Sequence, residues 1–167
     1  PPFVGRANEL RLLKDLLDAV GIESRARLVS LFGEAGIGKS RLVWEFLKYI
    51  DGLVDVIYWH EGRSPAYGEG VTFWAISEMI KVRAGIAEGD ADDTVARRLD
   101  ETLDTYVPDP GDRAWMRPRL AAVLGEGEAP GDRAELDAAV RAFFEAVSDQ
   151  GTTVLVFEDL HWAGSAS

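Results

Sequence analysis

Residues 33–40 read GEAGIGKS, and the spacing of Gly33, Gly38, Lys39 and Ser40 is that of a loop that grips phosphate. Glycines at 33, 36 and 38 give the backbone conformations that other residues avoid, so that successive N–H groups converge on an anion at close range. The apolar run Leu28, Val29, Leu31, Phe32 ahead of the loop predicts a buried strand. A helix starting near Gly38 predicts the positive end of a helix dipole at the same place. Lys39 then brings a point charge to the β- and γ-phosphates, and the Ser40 hydroxyl is placed for a magnesium ion that bridges them. Gly33, Glu34, Ala35, Gly36, Ile37, Gly38, Lys39 and Ser40, with Arg41 directly after, are thus the candidate contacts for a nucleoside triphosphate.

The rest of the chain supplies strands and helices around that loop. Leu10, Leu13, Leu16, Leu17 and Val20 fall on one face of a predicted helix, with Asn8 as its N-cap and Gly21 as its stop. After the loop, Leu42, Val43, Phe46, Leu47 and Ile50 repeat at helical spacing up to Asp51-Gly52. Residues 54–59 (VDVIYW) predict a second strand, and residues 61–70 a glycine-rich loop. Four helical stretches follow over about 71–149, one of them divided by Pro118 and the last capped by an Asp132/Glu135 box. A third strand, 152–157, ends in Glu158 and Asp159. The order α-β-α-β, helical insertion, β predicts an α/β fold with a parallel sheet between helical layers.

An apolar strand ending in acids is the partner that a phosphate loop needs. One carboxylate holds magnesium and a second orients or deprotonates the attacking water. The ligand rule for open α/β sheets brings both strand ends to one edge. Glu158, Asp159 and Ser40 are the candidate metal ligands, and Asp159, Glu158 and Lys39 the candidate catalytic residues. A strand of 154–157 puts Glu158 at the metal and Asp159 at the water, and a shift of one residue exchanges them. His161 is a possible γ-phosphate sensor or simply a helix-start residue, and His60 lacks the neighbours of a metal ligand.

Composition narrows the partners. With 18 basic against 29 acidic residues the net charge is −11, which argues against a broad basic surface for nucleic acid or anionic lipid. The chain has no cysteine and no apolar run of membrane-spanning length, and a cytoplasmic address suits a ligand such as magnesium ATP. At 167 residues it is one domain's worth of chain, and it reads as the N-terminal part of something longer.

Three stretches together resemble a known family. PFVGRANEL (2–10) is similar to the F-V-G-R-E-x-E-L opening of the STAND class of AAA+-like P-loop ATPases, GEAGIGKSRL (33–42) to their Walker A, and VFEDLHWAGSAS (156–167) to their Walker B region E-D-L-H-W-A-D-x-x-S. The last form occurs in bacterial signalling ATPases fused to class III adenylate cyclase or helix-turn-helix regulator domains. GRSPAYGEGVTFW (62–74) also resembles a segment of theirs. Two positions depart from the pattern: Ala7 and Gly164 stand where the family has acids.

The resemblance implies a P-loop NTPase fold of three layers, α/β/α, covering 1–167, with Walker A at 33–40 and the Walker B strand at 152–159. It implies that Val4, Gly5 and Arg6 contact adenine, mostly through backbone and shape; otherwise these three are a helix lead-in. It also implies a switch, in which nucleotide state controls an attached cyclase or DNA-binding output domain. The family's sensor residue and γ-phosphate arginine fall outside these residues, so the expectation is a truncated core that binds nucleotide weakly, hydrolyses it poorly, and self-associates through the exposed edge of its first strand. The alternatives are a small-molecule kinase and a non-hydrolysing interaction scaffold.

Overall fold

Helix α1, Ala7–Glu23, and helix α2, Lys39–Asp51, pack together and bury Leu17 of the first and Leu42, Phe46 and Ile50 of the second. The three α2 residues are spaced four apart, which stacks them on one face. Lys14 adds its ammonium 4.3 Å from the centre of the Tyr49 ring. The computed structural model describes residues 5–63 and 71–160, and the chain divides into two units, 1–57 and 58–167, of which this helix pair belongs to the first.

Three sequence expectations are corrected in this unit. Helix α1 has Arg6, not Asn8, at its N-cap, and it runs through Gly21 to a left-handed Ser24 (φ 52°) whose N–H donates to the Val20 carbonyl at 3.0 Å. Burial of Leu17 outweighs the roughly 1 kcal/mol that a helical glycine costs. The strand expected at 28–32 does not form: these residues have no regular structure, and Leu28 is 94% and Phe32 90% exposed. An apolar run becomes a strand only where a neighbour pairs its N–H and C=O groups. Among the described residues the only sheet pairs two other strands.

Those strands are β1, Ile57–Arg63, and β2, Thr152–Glu158, which lie side by side and parallel in the second unit. Between them run α3 (Val71–Ala84), α4 (Asp92–Tyr106), α5 (Pro110–Val123) and α6 (Arg133–Ser148). Met79, Ile80, Leu99, Leu103, Leu120, Phe143 and Val147, all nearly inaccessible, form the core that joins the four helices. Each such side chain contributes about 1.5–3 kcal/mol on burial.

The caps follow from the sequence. Asp109 accepts from the Asp112 N–H at 2.8 Å with Pro110 at the first helical position, and Asp132 accepts from the Glu135 N–H at 3.0 Å. The Glu135 carboxylate, expected to reach back to its own cap, instead takes Arg119 Nη2 at 2.7 Å. Pro118 does not split α5, contrary to expectation. Arg119 Nη1 donates to the Trp115 carbonyl at 2.8 Å, within the turn that the proline disturbs, and Leu120 and Ala121 beyond it are buried.

The second strand begins three residues later than residues 54–59 suggest. Val54 and Val56 are exposed, whereas His60 and Gly62 are buried on the face that α3 and α6 cover. The His60 ring stands edge-on to Phe144 at 5.2 Å, and Gly62 passes against α3 so closely that a Cβ there would lie 2.9 Å from the Cα of Ala75. Gly62→Ala is therefore expected to destabilise this unit by about 1–3 kcal/mol, the usual overpacking cost, read as a lower urea midpoint. An unchanged midpoint would show that β1 and α3 are not in this contact.

His60 Nε2 accepts from Arg83 Nε at 2.9 Å, while its Nδ1 is buried with no partner in hydrogen-bonding geometry. Desolvation, and then the Arg83 charge, lower its pKa from 6.5 to about 4. Because the folded value lies below the unfolded one, the unfolded chain binds the extra proton between these limits. Stability present above pH 6.5 is thus lost as pH falls towards 4, by on the order of 2–3 kcal/mol from this group. Urea unfolding of the wild-type and His60→Gln chains at pH 7 and pH 4.5 should show a smaller acid loss in the variant; equal losses would remove His60 as the cause.

Candidate functional site

The phosphate loop closes the gap before α2. Gly36 and Gly38 have φ of 79° and 96°, the left-handed region that motivated glycine at these positions, and Gly38 is the N-cap of a helix whose first residue is Lys39. The N–H groups of the first turn and the positive helix end therefore open onto the loop. Lys39 folds back over it, with Nζ donating to the carbonyls of Gly33 at 2.6 Å and Glu34 at 2.9 Å. Glu34, Ala35, Ile37 and Ser40 are exposed around it.

Arg41 lies outside this cluster. Its guanidinium pairs with Glu45 at 2.7 Å and lies over the Trp44 ring, which Lys48 covers from 4.2 Å. Hydrogen bonds from Lys48 and Arg41 keep the Glu45 carboxyl below its ordinary pKa. Arg6 joins the loop, donating from Nη2 to the Ile37 carbonyl at 2.7 Å, while Gly5 beside it has φ 88°. Val4 and His161 lie outside the described residues.

The acidic strand end belongs to the second unit. Strand β2 includes Glu158, and Asp159 turns out of it with φ 57°, a conformation aspartate tolerates better than most residues. Successive strand residues point to opposite faces, but this turn brings both carboxylates to one cation. Arg63, at the matching end of β1, donates to Glu158 Oε2 from Nη2 at 2.6 Å and from Nε at 3.2 Å, and its Nε lies 3.4 Å from Asp159 Oδ2. The Glu158 contact is the main cause of a raised Arg63 pKa. Glu158 is the more enclosed acid, its side chain 14% exposed against 45% for Asp159.

Arg63 escaped the sequence reading. It sits 95 residues from Glu158, in a stretch read as a loop, and only the parallel pairing of β1 with β2 brings them together. A depression of about 310 Å³ between α4 and α5 has Asp92, Asp93 and Glu126 in its wall, the wrong charge for a triphosphate. No group of three or more His, Cys, Asp or Glu residues forms a metal cluster among the described residues, and no helix there is long and apolar enough to cross a membrane.

Each unit's donor set suits its own ligand chemistry. A lone lysine ammonium held on carbonyls beside converging N–H groups suits phosphate, and paired carboxylates already gathering a cation suit a hard metal with oxygen ligands. No curated protein and no solved structure matches the chain. A family model does match, and over nearly the whole length: by residues 2–167 the chain belongs to the AAA ATPase domain family, a nucleotide-binding ATPase module.

Proposed function

We propose that this chain is the nucleotide-binding core of a signalling ATPase of the STAND type, which binds magnesium ATP and sets the state of an attached output domain. The observation that carries the reading is the phosphate loop: left-handed glycines, a helix starting at Lys39, and an ammonium resting on the loop's own carbonyls. Lys39 exchanges those carbonyls for β- and γ-phosphate oxygens, and the α2 N-terminus takes up the remaining charge. Ser40 and Glu158 would hold the magnesium, which when bound neutralises developing charge on the phosphates. Asp159, more exposed and turned beyond the strand, orients the attacking water.

The paired acids of this reading must give up Arg63 to accept a metal. Arg63 is 66% exposed and solvent screens the pair, so a metal displaces it at little cost. Arg63→Gln is expected to lower the magnesium concentration for half-maximal nucleotide binding roughly threefold. An unchanged requirement would separate Arg63 from the metal site.

The reading itself is tested by titrating the purified chain with a fluorescent ATP analogue, with magnesium and with chelator. Saturable binding that ATP displaces and magnesium strengthens supports it. No saturable binding at millimolar nucleotide would overturn it, and binding without turnover in the intact protein would favour the non-hydrolysing scaffold.

A further inference from the structure

We infer that Arg6 is a positioning residue for the phosphate loop, fixing the orientation of the Ile37–Gly38 peptide from outside; this rests on the proposed nucleotide site. The loop works only if its N–H groups face the anion, which turns its carbonyls outward and leaves them in need of donors. Arg6 Nη2 donates to the Ile37 carbonyl at 2.7 Å, and its Nε would lie 3.8 Å from a Cβ placed on Gly38. A peptide group is planar and trans, so its C=O and the N–H of the next residue point in opposite directions. Holding the Ile37 oxygen outward therefore holds the Gly38 N–H inward.

Such a clamp is needed at this peptide in particular. Gly36 and Gly38 on either side of Ile37 are both left-handed, and glycine moves between left- and right-handed φ at little cost. A flip of the 37–38 peptide would replace an N–H with a carbonyl lone pair facing the phosphates. Lys39 braces the other end of the loop through the Gly33 and Glu34 carbonyls, but it leaves them when it takes up phosphate. Arg6 has no such second duty and keeps its carbonyl in both states. The lead-in to α1 thus acts on the phosphate side of the site, through a side chain, and not on the base alone.

A ligand without a base separates the two roles. Affinities of the wild-type, Arg6→Ala and Arg6→Lys chains for inorganic tripolyphosphate and for ATP are measured by displacement of the fluorescent analogue. Arg6→Ala is expected to weaken both ligands by the same factor, about tenfold, with Arg6→Lys in between, since one charge-assisted hydrogen bond is at stake. Weakened ATP with unchanged tripolyphosphate would overturn the inference and assign Arg6 to the base. Backbone 15N relaxation dispersion of the ligand-free chains gives an independent readout, whatever the nucleotide affinity: the Gly38 amide should show conformational exchange in Arg6→Ala that the wild-type chain lacks. Equal exchange would overturn the clamp, whereas a wild-type chain that binds neither ligand but shows the exchange difference would overturn only the nucleotide reading.

Discussion

Lys39→Ala is expected to weaken ATP binding by about a hundredfold while the chain stays folded. The ammonium makes two hydrogen bonds, both to carbonyls of its own exposed loop, so in the ligand-free chain its removal returns two oxygens to water at little cost. Its other neighbours are those of a helix start that Gly38 already defines. In the proposed bound state the same ammonium would face β- and γ-phosphate oxygens, and two charge-assisted contacts at about 1.5 kcal/mol each correspond to two powers of ten in affinity. Titration with the fluorescent analogue, alongside a thermal melt, reads both halves. A loss below threefold, with an unchanged melt, would mean that the ammonium stays on Gly33 and Glu34 when nucleotide binds.

Parts of this fold were legible because the sequence signal and the packing are local. Leu42, Phe46 and Ile50 of α2 bury the face that their spacing predicts, and Asp132 caps where the capping pattern places it. The strands were harder. Val54 and Val56 have strand propensity but are exposed, whereas His60 and Gly62, poor strand formers, are buried because α3 and α6 close over them. Leu28 to Phe32 shows the same limit from the other side, an apolar run without a ladder.

The candidate site divides in the same way. A phosphate loop is encoded in eight consecutive residues, and its glycine geometry follows directly from their φ values. The Arg6 clamp and the Arg63 pairing join residues 31 and 95 positions apart, and no spacing rule reaches that far. Asp159 was visible as an acid but its left-handed turn was not, since non-glycine residues rarely take it. That turn decides how the acid pair is presented: without it, strand alternation would send the two carboxylates to opposite faces.

Presented together, the two acids should still separate by function. On the proposed reading Glu158, within β2 and largely enclosed, is the metal ligand, because a carboxylate fixed by a strand and partly desolvated holds a small cation in defined geometry. Asp159, more exposed and one residue past the strand, is the acid that the proposed reading assigns to the attacking water. Asp159→Ala in the intact protein is therefore expected to bind ATP within threefold of wild type and to lose turnover by about a hundredfold or more, the range for removing a positioned general base. Glu158→Ala should instead lose the magnesium dependence of binding, with nucleotide affinity in chelator unchanged. Steady-state hydrolysis and binding titrations with and without magnesium distinguish the two. If Asp159→Ala loses the magnesium dependence and Glu158→Ala keeps it, the assignments exchange. If both variants lose it equally, the acids act as one metal site and the water is oriented from elsewhere.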